Sequence, residues 1–293
     1  MKTLYADSGS TKTLWALVDE QPGLPKMIQT LQTQGLNPLY VTPDEITMAL
    51  REALAGLGGK AERPDVVRFY GSGCSGERVA TVERALRAAL TPMTRVEVDS
   101  DLMGAALALT TKGRGSESAA PFIVCIMGTG SIAALFDPVG HTLTPMPALG
   151  YILGDEGSGA WFGRQLLGDY LKGQMPARAR QAFEDDFGVI TAESAIRHVY
   201  QQPCPNRYLA TFAAFLGRHA ELSYSQQLAF QGIDLFWRRN VMRIAASEAG
   251  EGVADVRLVG GLAWALREVA GSVAEMHGYV VTQVIKNPID GLV

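Results

Sequence analysis

The sequence predicts an α/β protein of two related lobes. Short apolar or alternating runs bounded by Gly and Pro read as strands. Stretches with an apolar residue every third or fourth position read as amphipathic helices between them. The order of elements in the first half recurs in the second, and each half begins with a strand, a Gly/Ser/Thr turn and a second strand. Alternating strands and helices point to the α/β class, and two such lobes would be expected to face each other across a cleft, a common ligand site.

The elements follow in order. Thr3 to Ala6, Thr13 to Asp19 and Met27 to Thr33 are strands of a β-meander. Thr42-Pro43-Asp44-Glu45 is a capping box with Pro at the first helical position, and Ile46, Ala49, Leu50, Ala53, Leu54 and Leu57 keep one apolar face until Gly58-Gly59. Val66 to Tyr70 is a strand, Glu77 to Leu90 a helix, Thr94 to Val98 a strand and Asp101 to Thr111 a short helix. Lys112 to Ser118 has loop composition and marks a boundary. Phe122 to Met127 and Ile132 to Asp137 are paired strands around Gly128-Thr129-Gly130-Ser131. Helices run from about Ser158 to about Gly250, broken near Gly173, Gly188 and Pro203 to Pro205. Val256 to Val259 is a strand, Leu262 to Val273 a helix and Tyr279 to Ile285 a last strand.

Composition narrows the function. With 47% hydrophobic and 19% charged residues among 293, the chain is neither disordered nor too small to bury a core. A net charge of −4 disfavours generic nucleic-acid binding. Cys74, Cys125 and Cys204 are odd in number and far apart, which fits buried thiols in a reducing compartment and no disulfide framework. His141, His198, His219 and His277 lack metal-ligand spacing. The acid at position 7 comes too early for a signal peptide, and no apolar run is long enough for a bilayer. The expectation is a soluble cytoplasmic protein with no nucleic-acid or membrane partner.

Five segments carry chemistry. Asp7-Ser8-Gly9-Ser10-Thr11-Lys12-Thr13 joins two strands. Its small residues let backbone N–H groups approach an anion, Lys12 supplies charge, and Asp7 suits Mg²⁺ held through water. It lacks the Walker A spacing, and a hairpin turn favours the same residues, so the segment alone leaves both readings open. Gly128-Thr129-Gly130-Ser131 has the same chemistry at the matching place of the second half, so the two turns could grip a polyphosphate from both sides. Val98-Asp99-Ser100-Asp101 puts a carboxylate at a strand end that opens a helix, where Asp also serves as a cap or first-turn residue. Gly150 to Gly159 is a Gly-rich acidic loop with Asp155 and Glu156, costly in entropy for a mere linker. In Val259-Gly260-Gly261 the glycines would let a purine lie against backbone, although tight strand-to-helix packing alone explains them.

Together these segments resemble the sugar-kinase, actin and heat-shock ATPase superfamily, and within it the N-acetylglucosamine kinase group related to the BadF/BadG-type ATPases. The resemblance runs from residue 7 to about 263 with the motifs in the family's order. It implies two ribonuclease-H-like lobes with a duplicated βββαβαβα pattern around a central cleft, residues 1–114 and 115–293, a helical insertion in the second, and the last residues packing back on the first. It implies ATP and Mg²⁺ as cofactors and an amino sugar phosphorylated at its 6-hydroxyl, N-acetylglucosamine before glucosamine or N-acetylmuramic acid. Asp101 matches the general base. Asp7, Ser8, Gly9, Ser10, Thr11, Lys12, Gly128, Thr129 and Gly130 match the phosphate-binding positions, and Gly260 and Gly261 the nucleoside positions. Asn37, Ser131, Leu149, Gly150 and Asp155 match sugar-contacting positions, with Asp101 among them. The loop Gly71-Ser72-Gly73-Cys74-Ser75-Gly76 resembles a sugar-side loop only loosely.

The chain departs from the family pattern at Ile132, where Asn often follows Gly-Thr-Gly-Ser as a polar contact near the sugar. Two other readings stand beside the kinase. One is an activator ATPase like the BadF relatives, which needs paired cysteines for an iron–sulfur cluster; the other is a sensor that binds sugar and nucleotide without transfer. Residues 224 to 247, with Phe230, Phe236 and Trp237, are the candidate for contacts in a homodimer.

Overall fold

The computed structural model of the chain describes residues 1–19, 26–58, 63–110 and 120–293. The boundary segment Lys112 to Ser118, together with Gly59 and Thr111, lies outside the described residues. Two compact units result: Met1–Lys112 with Asn287–Val293, and Gly113–Lys286.

The first unit runs β1 (Lys2–Ser8), β2 (Lys12–Asp19), β3 (Lys26–Gln34), α1 (Pro43–Gly56), β4 (Val66–Gly71), α2 (Glu77–Arg87), β5 (Arg95–Ser100) and α3 (Asp101–Leu109). The sheet order is β3-β2-β1-β4-β5. β1, β2 and β3 pair antiparallel through short connections, whereas β1, β4 and β5 are parallel because a helix separates each from the next. Ser8 faces Gly71, and Gly71 faces Ser100. One row of the sheet therefore ends three strands together, and the residues that follow each strand share one edge. Trp15, Leu17, Leu36, Leu50 and Phe69 fill the core between this sheet and its helices.

In α1 the Thr42 hydroxyl accepts from Glu45 N–H and the Glu45 carboxylate accepts from Thr42 N–H, as the capping box predicts. α2 ends at Arg87, short of the predicted Leu90. Ala89 and Leu90 donate to the carbonyls three residues back, so the helix tightens and stops ahead of Pro92.

The second unit repeats the plan with β6 (Phe122–Met127), β7 (Ser131–Asp137) and β8 (Thr142–Pro145). Helices α4 (Gly150–Leu153), α5 (Gly159–Leu171), α6 (Ala177–Phe187), α7 (Ala192–Tyr200), α8 (Pro205–Phe212), α9 (Ala214–Arg218) and α10 (Ser223–Phe236) follow. A π turn, Trp237–Val241, joins α10 to α11 (Met242–Ala245). Then come β9 (Asp255–Val259), α12 (Gly261–Ala265), α13 (Arg267–Met276) and β10 (Val280–Ile285). The sheet order is β10-β9-β6-β7-β8. Ile126 faces Val259 and Val259 faces Ile285, so this sheet too ends its parallel strands in one row. The single helix read over Leu262 to Val273 is two, because the backbone leaves helical geometry at Leu266 (φ −104°, ψ 18°). β8 and the last helix, α14 (Ile289–Leu292), have no counterpart in the sequence reading; each is four residues long, too short for a period to show.

Candidate active site

The edge after β1, β4 and β5 assembles the first cluster. Ser8 is fully buried at the end of β1; its hydroxyl pairs with the Thr13 hydroxyl (2.8 Å) and accepts from Leu36 N–H (3.1 Å). Gly9 N–H donates to the Lys12 carbonyl (3.0 Å) and Gly35 N–H to the Thr11 carbonyl (3.1 Å), which fixes the turn while Thr11 and Lys12 stay exposed at its tip. That disposition suits a phosphate-binding turn, with charge and hydroxyl outward on a rigid base.

Asp101 opens α3. Ser100, not Asp101, caps this helix, its hydroxyl accepting from Met103 N–H (3.1 Å). The Asp101 carboxyl is thus left for other work. Burial pushes it up to about 6, while the N–H groups of Leu102 and of Asp101 itself and the Ser72 hydroxyl pull the other way. Asp7 is pushed up to about 7, by burial first and then by the Asp101 and Asp290 carboxylates, against the pull of Lys12. Two coupled carboxyls at one sheet edge, both shifted toward neutrality, form a site able to take up a proton and to welcome a cation.

Asn37 is 4% exposed. Its Oδ1 accepts from Leu39 N–H (2.9 Å), which turns Nδ2 toward Ser10 Oγ (3.3 Å) and Ser72 Oγ (3.5 Å). Its amide thus brackets the Ser10 turn and the Ser72 loop inside the unit.

The second cluster forms around the β6–β7 turn. Gly128 N–H donates to the Gly130 carbonyl (2.9 Å). The start of α5 grips the same turn: Gly159 N–H reaches the Gly128 carbonyl (2.8 Å) and Ala160 N–H the Thr129 carbonyl (3.0 Å). Ser131 binds the acidic loop twice, its N–H to Asp155 Oδ1 (3.3 Å) and its hydroxyl to the Glu156 carbonyl (2.7 Å). Burial raises the Asp155 carboxyl and the neighbouring Glu156 adds to it, while the Ser131 N–H lowers it. Glu156 pairs with Arg239 at 2.9 Å.

Gly260 sits at the end of β9 with φ +126°, and a Cβ there would lie 2.2 Å from the Met127 carbonyl oxygen, so only glycine fits. Gly261, which follows at the start of α12, has open space around it. The phosphate-type turn, the acidic loop and the double glycine thus meet within this unit. Asp155, Ser131 and Leu149 line a cavity of about 430 Å³, which Gly150 does not reach.

Magnesium fits the first cluster by its donor chemistry. Among the described residues no group of three acidic, His or Cys side chains is close enough to ligate a metal directly. Asp7 is instead a single partly buried carboxylate among negative neighbours, suited to an ion that keeps its waters.

Sequence reading named the Gly71 to Gly76 loop only as a loose resemblance and gave Ser72 no role of its own, and it did not single out Arg239 or Asp290, which reach the clusters only through tertiary packing. Among the described residues no helix is long and apolar enough to cross a membrane.

No protein-family profile and no curated protein matches the sequence. Solved structures do match. A candidate N-acetylglucosamine kinase from Porphyromonas gingivalis is 37% identical, covers 99% of this chain and 96% of its own, and superposes with a TM-score of 0.86. A candidate N-acetylglucosamine kinase from Chromobacterium violaceum is 20% identical over 99% of this chain and 97% of its own, with a TM-score of 0.65. A ROK family glucokinase from Streptomyces griseus, solved with glucose and AMPPNP, is 14% identical over 99% of this chain and 96% of its own, with a TM-score of 0.57. The last two share the fold; the first shares sequence along the whole chain as well.

Proposed function

Because the chain belongs to the N-acetylglucosamine kinase group of the sugar-kinase, actin and heat-shock ATPase superfamily, we propose that it phosphorylates an amino sugar at the 6-hydroxyl with ATP, N-acetylglucosamine first. The observation that carries this reading is Asp101, a carboxyl pushed up to about 6 at the β5–α3 junction and hydrogen-bonded by Ser72. A base titrating near the working pH is largely ionised yet still a competent proton acceptor.

In the step we assign to it, the sugar 6-oxygen attacks the γ-phosphorus of ATP, the bond from that phosphorus to the β–γ bridging oxygen breaks, and ADP leaves. Asp101 takes the hydroxyl proton. The Ser8 to Lys12 turn offers hydroxyls and the Lys12 charge to a phosphate. Within the second unit, the Gly128 to Gly130 turn offers small-residue backbone to a phosphate and Gly261 an open backbone surface to the nucleoside. Asp155, on a loop tied down by Ser131, offers a carboxylate to sugar hydroxyls. Asp7 would hold magnesium through water, and the ion would supply charge neutralisation to the phosphates when bound. Positioning and charge supply most of the acceleration of a phosphoryl transfer, with base help contributing on the order of a hundredfold or more.

ADP release from Mg·ATP tests the reading with N-acetylglucosamine, glucosamine, N-acetylmuramic acid, N-acetylmannosamine, glucose and no sugar. Release that depends on one amino sugar supports it; sugar-independent release, or none, rejects it. Asp101→Asn should keep sugar and nucleotide binding while kcat falls at least about a hundredfold. Turnover near the wild-type rate would remove Asp101 from the base role.

A further inference from the structure

The start of α2 carries a cation where helix electrostatics disfavours one. Arg78 is the second residue of that helix, after Glu77, and the positive end of the helix dipole repels a guanidinium there. Its side chain turns back onto the loop between β4 and α2. Nε donates to the Gly73 carbonyl (2.9 Å) and Nη2 to the Ser75 hydroxyl (3.0 Å). Hydrogen bonds from a charged donor are of the stronger kind. An unfavourable position is thus held by contacts to one short loop.

What the guanidinium grips lies against Asn37. Gly73 has φ +79°, and a Cβ there would lie 2.3 Å from Asn37 Oδ1, so the Gly73 backbone is the wall on which the Asn37 amide rests. The residue before it, Ser72, donates its N–H to the Ser8 carbonyl (2.8 Å), and its oxygen lies 3.5 Å from Asn37 Nδ2. The residue after it, Cys74, is buried and donates its N–H to the Gly71 carbonyl (3.1 Å). The loop is therefore fixed at its start by β1, and the Arg78 bonds tie its middle to α2. Gly73, between the two, is set by both.

We propose that Arg78 is a positioning residue for the sugar: by fixing the Gly73 carbonyl it sets the Gly73 wall, and through that wall the direction in which the Asn37 amide meets the sugar. Arg78 touches no substrate in this scheme. The proposal rests on the reading of Asn37 as a sugar contact and adds the residue that aims it. A stand-in cap for α2, which has no side-chain cap, would use the same bonds. The two roles differ in their consequences: losing a cap lowers stability, whereas losing the aim of Asn37 lowers sugar affinity and spares the nucleotide.

The test uses the full chain, with N-acetylglucosamine and ADP titrated separately by calorimetry. Arg78→Gln should weaken N-acetylglucosamine about threefold to tenfold, the factor of one ordinary hydrogen bond, and leave ADP unchanged. In turnover, KM for the sugar should rise and KM for ATP should not. Arg78→Lys keeps the charge and one donor and should restore part of the affinity. Asn37→Ala should weaken the sugar by itself, and adding Arg78→Gln to it should cost nothing more, because there is no amide left to aim. Arg78 is exposed, so Arg78→Gln should keep the fold, which a thermal scan checks. Unchanged sugar affinity in Arg78→Gln, equal weakening of sugar and ADP with a lower Tm, or full additivity of the two substitutions overturns the proposal. If the wild type binds none of N-acetylglucosamine, glucosamine and N-acetylmannosamine, the amino-sugar reading fails while the positioning role stays testable by NMR. The Asn37 side-chain amide signals should then move in Arg78→Gln and return toward their wild-type place in Arg78→Lys; signals that stay in place reject the role.

Discussion

Ser72 is a small group with a directional role. The Asn37 amide is oriented by Leu39 N–H, so its Nδ2 faces the Ser72 oxygen (3.5 Å, the outer limit of a hydrogen bond). With that oxygen accepting, the Ser72 proton is free to point at Asp101, where it lowers the carboxyl's pKa. Losing a hydrogen bond to the charged form raises a pKa by about one unit, for a bond worth about 1.5 kcal/mol. In Ser72→Ala the Asp101 carboxyl should therefore rise from about 6. The base works only when ionised, so kcat/KM should fall roughly fivefold near pH 6 and stay almost unchanged near pH 8. A pH–rate profile decides it: equal loss at both pH values would reduce Ser72 to a packing role. Asp7 and Asp101 stand out in the sequence because an acid at a strand end is locally visible. Ser72 does not, because its partner is set by the Gly71–Ser100 register, which no short pattern encodes.

At the scale of elements, the α5–α8 contact controls the second cluster. α5 holds the Gly128–Gly130 turn through the N–H groups of Gly159 and Ala160. One turn further on, a Cβ at Gly163 would lie 1.8 Å from the Leu209 carbonyl oxygen of α8, so the helices approach backbone to backbone. Gly163→Ala must push them apart, and overpacking of this kind costs about 1–3 kcal/mol or more. At roughly 2–4 °C per kcal/mol, a thermal scan should show a loss of about 3–10 °C, with a higher KM for ATP as the turn loosens. Gly168, on the same helix with open space around it, is the control: Gly168→Ala should be neutral or stabilising, since Ala is the better helix former. Equal melting of the two variants would reject the close-contact argument. The sequence shows α5 but not its partner. Elements with a long period or a strong cap, such as α1 and β6, are legible in the chain. The four-residue β8 and the break at Leu266 exist because of packing and leave no local pattern.

For the whole molecule, the duplicated order of elements is legible in the sequence because each half repeats strand, small-residue turn and strand. What closes the first unit is less visible, since Asn287–Val293 joins it from the far end of the chain. α14 packs on α3 and β1, with Ile289 and Leu292 buried and Gly291 close against the Ala108 carbonyl. The same segment carries Asp290, whose charge raises Asp7. Ending the chain after Lys286 should therefore have two separable effects. Removing two buried side chains, each worth about 1.5–3 kcal/mol, should loosen α3 and β1 and with them the seats of Asp101 and Asp7. Hydrogen exchange should show protection lost in peptides from β1 and α3 and kept in β6 and β9; loss spread evenly, or none, would mean the segment is not part of the first unit's core. The point variant Asp290→Asn keeps the packing and removes only the charge. It should keep exchange protection and lower the Asp7 pKa from about 7, read by NMR titration of that carboxyl. The truncated chain should lose protection as well as the charge. An Asp7 pKa unchanged in Asp290→Asn would mean that the segment acts on the first unit through packing alone.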